Sequence, residues 1–223
     1  MIFILGAGSG IGSGLMKSLA SNGPIGFSRR GEVYEEFSKG TNHKFDFTLE
    51  KDWEHFQKVF ISSNLGSEPI VVYFLHGDGL FGPIEKISIS DFERHFKLNV
   101  TSIFRFTKTI WEELQIRPGS SLIFAGSTAS KIGFQHSSPY CASKHAISGM
   151  AKALREEGKN FGLKVTISYL GAIATDIWNG REGFDQNDMV AVEDACDFLA
   201  KLAFLPESLF LEEVSILPRK GIL

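Results

Sequence analysis

The sequence predicts an α/β fold: a doubly wound, parallel, seven-stranded sheet with helices on both faces, forming a single domain over residues 1–223. Three observations predict it. Apolar runs of four to six residues alternate with longer stretches of helical period from one end of the chain to the other. No repeat, low-complexity tract or charge block interrupts that alternation. A length of 223 residues with 43% hydrophobic content suffices for one full core. Strands covered on both faces read as continuous apolar runs, and parallel neighbours need a crossover helix between them, so the alternation points to a parallel sheet.

The first strand is Ile2 to Leu5, in the amino-terminal stretch Met1-Ile2-Phe3-Ile4-Leu5, which has no basic residue before it and glycines directly after it. It is too short for a signal peptide or a membrane span. Gly6-Ala7-Gly8-Ser9-Gly10-Ile11-Gly12 then closes the strand and opens a helix over 12–21. Glycines at such a junction permit a tight turn, and backbone N–H groups at the positive helix end meet a pyrophosphate. Gly6, Ser9, Gly10, Ile11 and Gly12 are therefore candidate cofactor-binding residues of a Rossmann-type fold, spaced GxxxGxG and not GxGxxG. The second strand, 25–27, ends at Ser28-Arg29-Arg30, where a site for NAD places an acidic residue on the ribose 2′-hydroxyl. A hydroxyl and two guanidinium groups suit a 2′-phosphate instead, so NADP(H) is preferred over NAD(H), with Glu32 as a nearby opposing charge.

Only residues 31–42 separate the second strand from the third at 44–46, leaving room for a very short helix. A helix over 52–64 and a strand over 70–74 follow, the latter leading into His76-Gly77-Asp78-Gly79. The helix over 91–114 opens with Ser90-Asp91-Phe92-Glu93, which has the form of a capping box. After a fifth strand over 121–125, Pro139 suits the first turn of a helix over 140–161. Tyr140 and Lys144 then share one helical face, with Cβ atoms about 5–6 Å apart. An ammonium beside a phenol favours the phenolate, so the pair suits proton transfer near neutral pH. The sixth strand, 165–169, runs into Leu170-Gly171-Ala172-Ile173-Ala174-Thr175; a helix over 193–204 and a strand over 214–217 complete the series.

The GxxxGxG loop, Asn99 on the long helix, Ser127 thirteen residues before Tyr140, and the YxxxK pair occur in an order that resembles the short-chain dehydrogenase/reductase family in its compact branch. The resemblance covers essentially the whole chain. It implies that Tyr140 is the general acid or base at a substrate carbonyl or hydroxyl, that Lys144 supports it and bonds the nicotinamide ribose, that Ser127 orients the substrate oxygen, and that Asn99 holds a water linked to Lys144. It places Asp46 and Phe47 beside the adenine, His76 and Gly77 against the cofactor, and Gly171, Ile173 and Thr175 at the carboxamide. It makes residues 176–190, with Arg181, Glu182, Asp185 and Asp188, the substrate lid, and Phe81, Phe134, Gln135, His136 and Trp178 candidates for lining the substrate. It also implies homodimers or homotetramers paired through the helices over 91–114 and 140–161.

Three positions depart from the family pattern. Leu5 stands where a Thr usually precedes the first glycine, His76-Gly77-Asp78-Gly79 replaces Asn-Asn-Ala-Gly, and Leu170 replaces a Pro. These imply a repacked turn at 76–79, a carboxylate from Asp78 near the adenosine ribose, and a loosened turn at Gly171. The function so read is an NADP(H)-dependent oxidoreductase moving a hydride between nicotinamide and a carbonyl or secondary alcohol; the alternative is a cofactor-binding regulator or scaffold with vestigial chemistry. A net charge of −3 gives no electrostatic case for nucleic acid or anionic membranes as partners. Cys141 and Cys196 lack the spacing of a metal site, and the expected location is the cytoplasm.

Overall fold

The computed structural model describes residues 1–63, 65–178, 185–206 and 208–222. In chain order the principal elements are β1 (Ile2–Leu5), α1 (Gly10–Ser18), β2 (Ile25–Ser28), β3 (Asn42–Lys44), α2 (Glu50–Ser62), β4 (Val71–Phe74), α3 (Ile89–Phe96), α4 (Ser102–Gln115), β5 (Ser121–Ser127), α5 (Ser138–Gly158), β6 (Lys164–Leu170), α6 (Val192–Lys201) and β7 (Glu213–Ile216). The strands form one seven-stranded sheet in the order β3-β2-β1-β4-β5-β6-β7. Every pairing is parallel. The order reverses between β1 and β4, and the crevice at such a switch point is where α/β sheets take their ligands.

The pleat explains why the strands are apolar throughout. Phe3 and Leu5 point to the face covered by Phe56 of α2, Phe106 of α4 and Ile147 of α5. Ile2 and Ile4 point to the opposite face, against Leu15 and Leu19 of the α1 segment and Cys196 and Leu199 of α6. Phe27 lies at the centre of the first layer, its ring 5.6 Å from Phe56 and 5.8 Å from Phe37, edge to face.

Several boundaries differ from expectation. β3 stops at Lys44, because its partner β2 ends at Ser28; Phe45 N donates the last bond to Ser28 O at 2.8 Å. The stretch 31–41 forms no helix. It is held instead by a bridge between Glu32 and His43 and by Tyr34, whose ring packs 4.8 Å from His43 and 5.9 Å from Phe27. β6 runs on through Leu170, which pairs with Ser127 on one side and Ile216 on the other. The residue that replaces proline thus extends the sheet, and the turn at Gly171 is not loosened: Gly171 N donates to Ile216 O at 2.8 Å.

The long helix runs without a gap over 89–115 but is not α-helical throughout. A π-helical turn at Lys97–Thr101 separates α3 from α4. The cap is Ser88 and not Ser90: Ser88 Oγ accepts from Asp91 N at 3.0 Å and donates to Asp91 Oδ2 at 2.6 Å. Ser88 and Asp91 offer the hydroxyl-to-carboxylate spacing two residues earlier, so the helix gains length at no loss of capping. Asn64, the expected end of the second helix, lies outside the described residues. Among the described residues, no helix is long and apolar enough to cross a membrane.

Candidate active site

A cavity of about 860 Å³ opens at the carboxyl edge of the sheet. The residues singled out in the sequence for cofactor and chemistry line it, except Asn99, which stands behind the wall at 1% exposure.

The glycine loop forms one end. Gly6 and Gly10 have φ of +94° and +50°, the left-handed region that side chains disfavour. A Cβ at Gly12 would collide with the carbonyl oxygen of Gly6, and one at Gly8 would come within 2.8 Å of Ser28 Oγ. Ser9, the residue before α1, makes no side-chain cap, so the first-turn N–H groups keep their donors for a ligand. A loop stripped of side chains beneath an uncapped helix start fits a phosphate-bearing dinucleotide. At the same end, Ser28 Oγ accepts from Asn42 Nδ2 at 2.8 Å. Arg29 and Arg30 are exposed at the cavity wall and form no ion pair among the described residues. Asp46 turns one carboxylate oxygen into its own loop, accepting from Thr48 N at 2.9 Å and Thr48 Oγ1 at 2.7 Å.

The other end gathers Ser127, Tyr140 and Lys144. Ser127 closes β5; its Oγ accepts from Ala129 N at 3.2 Å, which leaves the hydroxyl proton for the cavity. Tyr140 lies in the first turn of α5, with the Phe81 ring 5.0 Å away. Lys144, one turn on, donates from Nζ to Ala125 O at 2.9 Å and holds its charge 5.7 Å from the Tyr140 ring centroid. Ile173 and Thr175 follow β6; Thr175 N donates to Ile173 O at 2.7 Å, and Trp178 Nε1 donates to the same oxygen at 2.9 Å. Phe81, Phe134, Gln135, His136 and Trp178 all reach the cavity wall. Arg181 and Glu182 lie outside the described residues. Asp185 caps a short turn through Asn187 N, and Asp188 pairs with Lys220 at 2.7 Å, so neither carboxylate lines the cavity.

The altered turn after β4 is re-anchored. Leu5 offers only its backbone, Leu75 N donating to Leu5 O at 2.9 Å. His76 takes over: its Nε2 lies 2.7 Å from Ser102 Oγ, and that hydroxyl donates to Leu98 O, so Nε2 carries the proton. The ring stacks on Phe47 at 4.0 Å. Burial, aided by the charge of Lys144, pushes the His76 pKa down to about 3, and the ring stays neutral. Asp78 lines the cavity with its carboxylate already engaged. Its carboxylate accepts from His95 Nδ1 at 2.8 Å and from Arg94 Nη1 at 3.2 Å. Partial burial pushes this carboxyl up, but the bonds and charges of His95 and Arg94 outweigh it and hold the group below its usual range. Sequence reasoning missed His95, Ser102 and Ser143; a histidine four residues before Asn99, one turn away on the same helical face, was the available signal.

A parallel doubly wound sheet, with a glycine cradle at its switch point and Ser127, Tyr140 and Lys144 gathered at the carboxyl edge, defines a protein of the dinucleotide-fold class. The model of the family described as short chain dehydrogenase matches residues 1–184, and the chain belongs to that family. It is 32% identical over 103 residues to the uncharacterized oxidoreductase YusZ of Bacillus subtilis, a match covering 46% of this chain and 37% of that protein. It is 28% identical over 190 residues to an NADPH-dependent 3-dehydrocapnine reductase of Ornithobacterium rhinotracheale, covering 78% of this chain and 66% of the relative. The chain thus spans less than two thirds of the length of either relative. The fold is also that of an alcohol dehydrogenase from Thermococcus sibiricus solved with 5-hydroxy-NADP, at a TM-score of 0.78, 18% identity and coverage of 98% of this chain and 96% of that one.

Proposed function

We propose that this protein is an NADP(H)-dependent oxidoreductase acting on a carbonyl or secondary alcohol. The carrying observation is that Ser127, Tyr140 and Lys144 wall the same cavity as the glycine cradle and the two arginines. The relative named as an NADPH-dependent reductase supports the reading. A bound nicotinamide would supply the hydride. In the reducing direction Tyr140 gives its phenolic proton to the substrate oxygen, and Ser127 donates a hydrogen bond to that oxygen. Lys144 stabilises the phenolate left behind. Asn99 keeps the turn after β4 in place, accepting from Asp78 N at 3.0 Å and donating to Asp78 O at 2.9 Å. The scaffold alternative rested on the altered turn; the bonds of His76 and Asp78 show how that turn is held.

Titration with NADPH and NADH, followed by a carbonyl screen read by absorbance of the reduced nicotinamide, tests the proposal. Tight binding without turnover on any carbonyl would return the scaffold reading. For the arginines, Arg29→Ala with Arg30→Ala is expected to weaken NADPH about 10–100-fold, as loss of charge-assisted bonds does, and to leave NADH unchanged. An equal loss for both cofactors would remove the 2′-phosphate role. We further read the protein as a homodimer or homotetramer through α4 and α5, since Phe104 on α4 is 56% exposed. A monomer by analytical ultracentrifugation at assay concentration would sink that assignment.

A further inference from the structure

A chain of polar groups runs from the turn after β4 to the catalytic helix, and none of the proposed proton and hydride steps uses it. It starts at Asp78, whose carboxylate accepts from His95 Nδ1. His95 Nε2 then lies 3.0 Å from Ser143 Oγ and 3.3 Å from Asn99 Nδ2. Ser143 Oγ in turn donates to Tyr140 O at 2.8 Å. His95 and Ser143 are both 0% exposed.

These residues join three separate pieces of chain: the turn after β4, α3 with its π-helical extension, and the first two turns of α5. One end of the chain holds Asn99, whose amide is already committed to the Asp78 backbone through both its oxygen and its nitrogen. The other end holds the backbone carbonyl of Tyr140. A buried imidazole and hydroxyl are costly without partners, so the bonds they make here are strongly held and directional. Asp78 commits Nδ1 as a donor and fixes the ring orientation, which leaves Nε2 to accept from Asn99 Nδ2 and from the Ser143 hydroxyl, whose one proton it shares with Tyr140 O. Leu5 has no hydroxyl with which to reach the turn from β1, so this link ties the turn to the helices instead.

We propose that Asp78, His95 and Ser143 are positioning residues that hold Asn99 and the Tyr140 turn in register with each other. The proposal rests on the reading of Tyr140 as the proton donor. Three variants test it: His95→Leu, which keeps bulk and burial; Asp78→Asn, which keeps an acceptor for Nδ1; and the double variant Asp78→Ala with His95→Leu, which removes the carboxylate together with its buried partner and leaves only the solvent-exposed Arg94 without its ion pair. Hydrogen exchange of the cofactor-free protein gives the first readout. His95→Leu is expected to speed exchange at least tenfold at residues 76–79 and 138–144 and to leave α1 and α2 unchanged. Unaltered exchange at 138–144 would overturn the proposal. The second readout is turnover of a vicinal diketone with NADPH. His95→Leu is expected to lower kcat by about 10–100-fold, the scale of a small misplacement of catalytic groups, with KM and NADPH affinity within twofold of wild type. Asp78→Asn should retain kcat within about threefold, and the double variant should regain thermal stability without regaining kcat. Recovery of kcat in the double variant, or loss of NADPH affinity in step with kcat, would assign the chain a packing role and overturn the proposal. A wild-type protein silent on every carbonyl would fail the functional reading alone, because the exchange measurement decides the coupling independently.

Discussion

Tyr140→Phe is expected to abolish carbonyl reduction while leaving NADPH affinity within twofold of wild type. The substitution removes one oxygen and keeps the ring, so its packing 5.0 Å from Phe81 survives. What is lost is the group we propose as the proton donor to the substrate oxygen. General acid catalysis by a positioned side chain contributes about 10²–10⁴-fold, and the drop in kcat should fall in or beyond that range. Ser127 cannot substitute, because donating to the substrate oxygen does not deliver a proton to the product. Single-turnover absorbance of the reduced nicotinamide measures the chemical step, and cofactor fluorescence measures binding. A variant that turned over within tenfold of wild type would show that the proton comes from elsewhere.

Gly12→Ala should produce the second large effect, this time on binding. A Cβ there would collide with the Gly6 carbonyl oxygen and lie 2.7 Å from the Gly6 carbonyl carbon and 3.1 Å from Ala7 Cα. All three are backbone atoms of the cradle itself, so the loop must shift as a unit. Overpacking of this kind costs about 1–3 kcal/mol of stability. The shift also moves the N–H groups proposed to hold the phosphates, and NADPH affinity is expected to fall more than tenfold. Calorimetric titration of the variant checks the affinity and a urea melt the stability. Affinity within twofold of wild type would mean that the loop is not the phosphate site.

The glycine positions were legible because their cause is local. A turn that needs positive φ, and a helix start approaching a strand end, announce themselves within seven residues. Tyr140 and Lys144 were legible for a similar reason, since helical spacing alone puts both on one face. Ser88 was hidden by ambiguity: two serines two residues apart each offer a capping pattern, and only the finished helix selects between them. The end of β3 was equally hidden, because a strand ends where its partner ends, and the end of β2 depends on how Ser28 leads into the following turn. Asp78 was visible as a departure, but its direction was not.

The sequence by itself determined the layered parallel sheet, the glycine loop at the first helix start and the face shared by Tyr140 and Lys144. Each follows from short-range periodicity or from a backbone conformation that one residue type permits. Tertiary structure decided that Asp78 turns toward α3, that His76 is buried neutral against Phe47, and that Ser143 joins the turn to the catalytic helix. His95 stands 17 residues from Asp78 and 48 from Ser143. Partners so far apart in the chain are chosen by which groups the packed helices leave buried and in need of a hydrogen bond, and no local pattern carries that information.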